Sequence, residues 1–237
     1  MALALDLTGR VVLVTGGTRG IGRGITEAFL ASGATVVTCS RSEVEPVEGS
    51  THVVCDVRDP GQVDALAAAA VDRFGRLDIV VANAGVGAYG DFLSLDPEHL
   101  EEMIDTNVKG LLYTVRATLP HLLESDSADL VVVASIAGQR GPEGEAVYAA
   151  SKFAQVGFMR SLDHELYRRG VRCSTIAPGG VHTEFAMGRG RSPGDPDLAE
   201  MMRPEEIADA VVHCVTRPRT HRVLEATILP MSDDSMN

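Results

Sequence analysis

A tyrosine and a lysine stand four residues apart in the run Tyr148-Ala-Ala-Ser-Lys152, and this spacing places a phenol and an ammonium on one face of a helix. A free tyrosine titrates near ~10, and lowering its pKa to about 7 requires roughly 4 kcal/mol of preference for the phenolate. A positive charge ~5 Å away contributes about 3 kcal/mol at an effective dielectric constant of about 20. The pair therefore predicts that Tyr148 acts as a general acid in a reduction and as a general base in an oxidation.

Two further polar residues are candidates for the same site. Ser135 ends an apolar run typical of a strand, and at the carboxyl edge of an open α/β sheet its hydroxyl can hydrogen-bond a substrate oxygen. Asn107 lies seven residues after Leu100 on the apolar stripe of a predicted helix, so its amide needs a partner. That partner is either a water that connects Lys152 to solvent or a group of the protein, and the spacing leaves both open.

A glycine-rich turn, Thr15-Gly-Gly-Thr-Arg-Gly-Ile-Gly22, follows the first predicted strand and precedes a helix. Residues without a Cβ let the backbone approach a pyrophosphate, whose charge is met by free N–H groups and the helix dipole. A tight turn without a ligand is the alternative. The residues predicted to bind the dinucleotide here are Gly16, Thr18, Arg19, Gly20, Ile21 and Gly22.

The end of the second predicted strand bears on which nicotinamide dinucleotide binds. An acid there accepts hydrogen bonds from a ribose 2′-hydroxyl, whereas a base receives a 2′-phosphate. The segment contains Ser40 and Arg41 but no acid, and Arg19 adds a second guanidinium for bidentate capture of the phosphate. NADP(H) is therefore predicted in preference to NAD(H). The alternative is that both arginines are solvated surface residues.

The third and fourth predicted strands end in residues that suit the adenosine and the cofactor backbone. Asp56 can accept a hydrogen bond from an adenine amino group, with Val57 against the ring, although an Asp after a strand is more often a turn or cap residue. After the fourth strand, Asn83, Ala84 and Gly85 are small enough to let the backbone run beside the cofactor.

The elements that position these residues follow from hydrophobic periodicity. Seven short apolar runs alternate with helical segments, and several runs are apolar at consecutive positions, as parallel strands covered on both faces require. The alternation predicts an α/β fold in which a doubly wound parallel sheet of seven strands is flanked by helices. The predicted strands are Val11–Thr15, Ala34–Thr38, Thr51–Cys55, Leu77–Ala82, Asp129–Ala134, Val171–Ile176 and Val223–Leu229.

Composition limits the classes of function. The 237 residues, 45% of them hydrophobic, predict one domain over residues 1–237. A formal charge of 21 minus 33, or -12, repels nucleic acid. The first residues of the sequence lack the features of a secretory signal, and no apolar run approaches the roughly 20 residues that span a bilayer. We therefore expect a soluble, cytoplasmic protein without nucleic-acid or membrane partners. The four cysteines follow no metal-ligand spacing, so no metal is predicted.

The motifs occur in a fixed order that resembles the short-chain dehydrogenase/reductase family over nearly the whole chain. The residues that carry the resemblance are Thr15-Gly-x-x-x-Gly-Ile-Gly22, Asn83-Ala-Gly85, Asn107, Ser135, Tyr148-x-x-x-Lys152 and Pro178-Gly-Gly-Val-His-Thr183. The resemblance implies a Rossmann sheet and a catalytic tetrad of Asn107, Ser135, Tyr148 and Lys152. It also implies hydride transfer between NADP(H) and a small carbonyl or alcohol, cofactor contacts from Tyr148, Lys152, Pro178, Gly179, Val181 and Thr183, and homodimers or homotetramers.

The chain departs from the usual family pattern between strands two and three, and other functions remain as alternatives. The segment Ser42–Ser50 is too short for the helix usual in that family between strands two and three. An NAD(H)-dependent dehydrogenase, a non-catalytic NADP(H)-binding sensor or scaffold, and an epimerase or dehydratase with a bound nicotinamide are the alternative functions. We expect a helix over Tyr148–Arg169 and a substrate loop around residues 184–203, mobile near Gly188–Pro196. The motifs place Val86, Gly87, Gln139, Arg140, Glu145, Gly180, Phe185 and Met187 around the pocket.

Overall fold

A single parallel sheet organises the protein, whose computed structural model describes residues 6–233. The strand order is β3-β2-β1-β4-β5-β6-β7. The strands are β1 (Val11–Thr15), β2 (Thr35–Ser40), β3 (Thr51–Val54), β4 (Ile79–Ala82), β5 (Ala128–Val133), β6 (Val171–Pro178) and β7 (Glu225–Ile228). All seven predicted strands are present, which confirms the single-domain α/β fold. β1 has the predicted bounds, and the ends of the other strands differ from the prediction by at most two residues because they follow the hydrogen-bonded ladder rather than the apolar run.

Helices cover both faces of the sheet. They are α1 (Gly20–Ala31), α2 (Pro60–Phe74), α3 (Pro97–Met103), α4 (Gly110–Leu122), α5 (Ala146–Leu166) and α6 (Pro204–Val215). α1 and α6 pack on one face, and α2, α4 and α5 pack on the other. No helix lies between β2 and β3, which confirms the prediction for Ser42–Ser50.

These two layers explain why the strands are apolar at consecutive positions. In β1, Val11 and Leu13 pack toward α2, α4 and α5, whereas Val12 and Val14 pack toward α1 and α6. All four side chains are buried, and each contributes about 1.5–3 kcal/mol relative to exposure. Burial on both faces fixes the position of the carboxyl end of β1, where the glycine turn begins.

The long helix that carries Tyr148 is shorter than predicted. α5 runs from Ala146 to Leu166, a 3₁₀ turn follows over Tyr167–Arg169, and the chain then leaves the helix at Gly170 with φ +86°. The left-handed conformation at Gly170 ends the helix without the steric cost that a Cβ brings. The prediction is therefore correct for the helix and wrong for its last three residues.

The predicted helical stripe around Asn107 is interrupted. α3 and α4 are joined by a π-helical turn over Ile104–Lys109. The wider turn rotates the apolar stripe, so two of its apolar residues, Ile104 and Leu112, are 38% and 39% exposed. Asn107 itself is fully buried, and π-turns of this kind are frequent at functional sites.

Buried ion pairs hold the amino edge of the sheet. Arg172 donates to Asp129 through Nε at 2.7 Å and Nη2 at 3.2 Å, and Arg219 Nη1 donates to Asp129 Oδ2 at 3.1 Å. Burial raises the pKa of Asp129, and the two guanidinium groups oppose that rise. The network ties β5 to β6 and to the chain before β7, at the edge opposite the site described below.

The chain between β6 and α6 contains the predicted substrate loop. It has a bridge between Met187 and Arg191 and a 3₁₀ turn over Pro196–Glu200. Tyr89 N donates to Arg189 O at 2.9 Å, which ties the loop to the segment that follows β4. Its mobility stays a prediction. Within residues 6–233 no helix combines the length and the hydropathy that a membrane crossing needs.

Candidate active site

One large cavity, about 1010 Å³ in volume, opens at the carboxyl edge of the sheet. It brings together Ser135, Tyr148 and Lys152, but Asn107 lies behind its wall. The predicted cofactor-binding residues that line it are Gly16, Thr18, Arg19, Gly20, Ile21, Gly22, Ser40, Arg41, Asp56, Val57, Asn83, Ala84, Gly85, Pro178, Gly179, Val181 and Thr183. Every residue of that predicted set therefore reaches one continuous cavity.

The glycine turn forms one wall of the cavity because side chains do not fit there. Gly16 and Gly20 have φ values of +64° and +50°, which a residue with a Cβ rarely adopts. At Gly22 a Cβ would lie 2.1 Å from the Gly16 carbonyl oxygen and 2.5 Å from Asn83 Nδ2. α1 begins at Gly20, so the unpaired N–H groups of its first turn belong to the same wall.

Asn83 connects the glycine turn to the end of β4. Its Nδ2 donates to Thr15 O at 3.0 Å and to Gly16 O at 3.1 Å. In return, Thr15 Oγ1 accepts from Asn83 N and Ala84 N, each at 3.1 Å. The turn and the Asn83–Gly85 segment are thus one hydrogen-bonded unit, which keeps the cavity wall in place.

Tyr148 and Ser135 face each other in the interior of the cavity. Tyr148 is 6% exposed. Burial raises the pKa of Tyr148 above its usual value, and a hydrogen bond with Ser135 acts in the opposite direction. Ser135 Oγ also accepts from Ala137 N at 3.1 Å, which orients the hydroxyl at the end of β5. The pKa near 7 expected for Tyr148 is therefore wrong for this structure, because desolvation of the phenolate outweighs the favourable contacts.

Lys152 is buried beside the tyrosine. Its Nζ lies 5.7 Å from the centroid of the Tyr148 ring and donates to Val133 O at 3.1 Å and Gln155 Oε1 at 3.0 Å. Burial lowers the pKa of Lys152 to about 7. The distance between the ammonium and the phenol ring is thus close to the one that the sequence suggested. Burial, however, reduces the fraction of Lys152 that is protonated at neutral pH.

Asn107 has protein partners for its whole side chain. Its Oδ1 accepts from Val86 N at 2.9 Å, and its Nδ2 donates to Val86 O at 2.9 Å and Ser151 Oγ at 3.0 Å. Of the two alternatives left open, the structure contains the satisfied amide, which fixes the backbone next to Gly85. The proposed relay of a proton through water stays a prediction.

Gln155 is a polar residue of the site that our sequence reasoning missed. It is 2% exposed, accepts from Lys152 Nζ, and donates through Nε2 to Asn107 O at 2.6 Å. The signal was its position three residues after Lys152, on the buried face of α5.

The end of the cavity near β2 and β3 holds several charged groups. Arg41 Nη1 donates to Glu102 Oε1 at 2.9 Å, and Arg189 Nη1 donates to Glu102 Oε2 at 2.6 Å. Arg58 makes a bidentate contact with Asp56, the residue predicted to meet adenine, and lowers its pKa. Arg19 is exposed at the cavity and forms no ion pair within residues 6–233.

The end of the cavity near Tyr148 combines aromatic rings and charges. The Tyr89 ring contacts the Tyr148 ring edge-on at 5.5 Å between centroids, and the Phe185 ring lies 5.8 Å from Tyr148. Arg191 stacks over Tyr89 at 5.7 Å, and burial raises the pKa of Glu145. Tyr89 and Arg191 were not predicted, since neither belongs to a motif.

Most of the pocket residues expected from the motifs are confirmed as lining residues. Val86, Gly87, Arg140, Glu145, Gly180, Phe185 and Met187 line the cavity. Gln139 does not, because its Oε1 accepts a hydrogen bond from Thr227 Oγ1 at 2.9 Å and turns the side chain toward β7. Within residues 6–233 no group of three or more His, Cys, Asp or Glu side chains is arranged to hold a metal ion.

The chain is similar to known oxidoreductases over nearly its whole length. The short chain dehydrogenase family matches residues 10–193. An uncharacterized oxidoreductase of Staphylococcus epidermidis is 35% identical, with 94% of this chain and 97% of the relative covered. A second uncharacterized oxidoreductase, from Staphylococcus haemolyticus, is 34% identical, with 95% and 99% covered.

Solved structures agree with this similarity. An alcohol dehydrogenase of the archaeon Thermococcus sibiricus, in complex with 5-hydroxy-NADP, superposes with a TM-score of 0.84 at 28% identity, covering 94% of this chain and 97% of the other. The ligand-free aldohexose dehydrogenase of Thermoplasma acidophilum gives 0.82 at 25% identity, with 93% of each chain covered. The sheet, the cavity and these matches define an oxidoreductase of the Rossmann type. The chain belongs to the short chain dehydrogenase family.

Proposed function

We propose that this protein is an NADP(H)-dependent oxidoreductase that acts on a small carbonyl or alcohol substrate, with Asn107, Ser135, Tyr148 and Lys152 as its functional residues. The observation that carries the proposal is the Tyr148 phenol, which is buried against Ser135 in the same cavity as the glycine turn. A reacting carbon held beside Tyr148 therefore lies within reach of a dinucleotide bound along that turn.

The residues around the cavity fit a dinucleotide. The glycine turn offers backbone N–H groups and the positive end of α1 to a pyrophosphate. Asp56, which is paired with Arg58, and Val57 line the end proposed for the adenine, and Thr183 and Val181 line the other end of the cavity. A bound nicotinamide supplies or accepts the hydride.

The proton is assigned to Tyr148. In reduction, Oη donates its proton to the carbonyl oxygen while Ser135 Oγ hydrogen-bonds that oxygen as negative charge develops on it. Burial keeps the phenol protonated near neutral pH, which suits this role. In oxidation, Oη must accept a proton, and the positive charge of Lys152 favours the resulting phenolate.

The preference for NADP(H) rests on two arginines. Arg19 is exposed at the cavity and has no ion pair within residues 6–233, and Arg41 lines the same end. Arg41 contacts Glu102, but Glu102 also holds Arg189. Arg41 can therefore exchange a carboxylate for a 2′-phosphate without leaving Glu102 uncompensated. The similar alcohol dehydrogenase with bound 5-hydroxy-NADP supports the same choice.

The substrate is proposed to lie against the loop of residues 184–203. Phe185 from this loop and Tyr89 pack against the Tyr148 ring, Arg191 stacks over Tyr89, and Glu145 lines the same cavity. Such a wall suits a small molecule with one apolar face and polar groups next to the reacting carbon.

A spectrophotometric screen of ketones, keto acids and alcohols with NADPH and NADH tests the proposal. Tyr148→Phe is the matched variant, because it keeps the ring that packs on Tyr89 and Phe185 and removes only Oη. We expect consumption of NADPH by the wild type and a loss of about 10²–10⁴-fold in the variant, with the same dissociation constant for NADPH. Equal turnover by both proteins would contradict the role of Tyr148. Product formation without net NADPH consumption would instead favour an epimerase or dehydratase.

A further inference from the structure

The amide of Gln155 connects two functional residues that lie on different elements. Gln155 Oε1 accepts from Lys152 Nζ at 3.0 Å, and Gln155 Nε2 donates to the Asn107 carbonyl at 2.6 Å. The side chain is 2% exposed, so loss of either partner would leave a buried polar group without a hydrogen bond, at a cost in free energy. The oxygen and the nitrogen of this buried amide thus each have a hydrogen-bond partner, one on α5 and one on the π-helical turn.

The surroundings of Lys152 give this contact its importance. From β5, the Val133 carbonyl accepts a hydrogen bond from Nζ at 3.1 Å. On α5 itself, the titratable neighbour is Tyr148, whose ring centroid lies 5.7 Å from Nζ. Within residues 6–233 no carboxylate forms an ion pair with Lys152, and burial is the cause of its lowered pKa. Two neutral oxygens therefore stabilise the ammonium, and Gln155 provides the one that is a side chain.

We propose that Gln155 is a positioning residue that holds Lys152 as an ammonium beside Tyr148 and ties it to the Asn107 turn. The inference rests on the proposed function, in which the charge of Lys152 acts on the phenol. Gln155 does not touch the reacting atoms and acts through Lys152.

The chemistry of the amide explains why a glutamine suits this position. A neutral oxygen stabilises the ammonium without cancelling its field at Tyr148. A carboxylate would pair with Nζ and neutralise that field, and it would offer no donor to the Asn107 carbonyl. A hydrocarbon side chain would leave the ammonium with one acceptor fewer, and the neutral amine would then be favoured.

The lysine content of the chain makes a direct test possible. Lys109 and Lys152 are the only lysines among the 237 residues, so protein labelled with ¹³C at the lysine ε-carbon gives two side-chain signals. Lys109 is exposed and paired with Asp105 at 2.7 Å, and Lys109→Arg assigns the signals by removing one of them. The midpoint of the Lys152 signal is followed against pH in the ligand-free protein.

Three variants at glutamine positions decide the outcome. Gln155→Met removes the acceptor, and we expect the midpoint of Lys152 to fall by about one to two pH units, as loss of a hydrogen bond to a charged group predicts. Gln155→Glu supplies a carboxylate and should raise the midpoint. Gln139→Met is the matched control, because Gln139 contacts Thr227 and not Lys152, and it should leave the midpoint unchanged.

Unchanged midpoints in both Gln155 variants would overturn the proposal. Far-ultraviolet circular dichroism checks the fold, and if Gln155→Met does not fold, the near-isosteric Gln155→Glu decides alone by a raised or an unchanged midpoint. Turnover gives a second readout, since Gln155→Met should lower kcat by at least ~10-fold near pH 8 and lower kcat less at more acidic pH. A pH profile of kcat identical to that of the wild type would overturn the positioning role. If the wild type turns over neither a carbonyl nor an alcohol, the proposed function fails, and the Lys152 midpoint still decides whether Gln155 holds the ammonium.

Discussion

Burial of Lys152 makes the stability of the ligand-free protein depend on pH. One substitution separates this contribution from that of the other titratable groups. The pKa of Lys152 is about 7 in the folded protein, against 10.5 for an ordinary lysine. Below about pH 7 both the folded and the unfolded chain carry this proton, and the full cost of the buried ammonium applies. Above about pH 7 the folded protein loses the proton while the unfolded chain keeps it, so stability rises with pH. Near neutral pH the ammonium thus costs up to about 5 kcal/mol.

Lys152→Met should remove this pH dependence. The variant leaves Gln155 and Val133 without a donor, which is a cost that does not depend on pH. Between about pH 7 and about pH 9, we expect the wild type to gain about 2 kcal/mol in free energy of unfolding relative to Lys152→Met. Urea unfolding at several pH values measures the difference in free energy of unfolding between the two proteins. The titration of other groups cancels in this difference. Parallel curves for the two proteins would refute the reasoning that burial depresses this pKa.

Three further experiments test other parts of the account. Gly22→Ala puts a Cβ 2.1 Å from a carbonyl oxygen and should weaken NADPH binding by at least ~10-fold in a fluorescence titration. Gly157→Ala is the control, because a Cβ there has no neighbouring atom within 4 Å and should change stability by less than about 1 kcal/mol. Similar losses of NADPH binding in both variants would contradict the role of the turn. Replacing Arg19 and Arg41 together by Ala should raise KM for NADPH by about 10–100-fold with little change for NADH, and equal effects would refute the phosphate assignment. Asp129→Ala should lower the free energy of unfolding by about 3–5 kcal/mol, measured by urea unfolding, and an unchanged value would contradict the buried network.

The parts of this structure that the sequence predicts correctly are those that depend on local pattern. Strands such as β1 are recognisable because burial on both faces leaves a run of consecutive apolar residues. The glycine turn is recognisable because close backbone approach at Gly22 excludes side chains. The Tyr148 and Lys152 pair is recognisable because four residues make one helical turn.

The features that the sequence does not predict depend on contacts between distant segments. The π-helical turn rotates Ile104 and Leu112 outward, and no local pattern distinguishes that turn from a regular helix. Arg41 meets Glu102 from another element. The pKa of Tyr148 follows from how completely the fold removes the phenol from water, which spacing alone does not contain.

Transfer of an isotope from cofactor to substrate tests the central claim most directly. The protein is mixed with NADPH that carries deuterium at both hydrogen positions of the nicotinamide C4 and with the carbonyl compound that the screen identifies. Mass spectrometry then locates the label in the product. The account predicts deuterium on the new carbinol carbon with the wild type and a rate about 10²–10⁴-fold lower with Tyr148→Phe, which still binds NADPH. Product without deuterium, or equal rates of labelling by the two proteins, would contradict it.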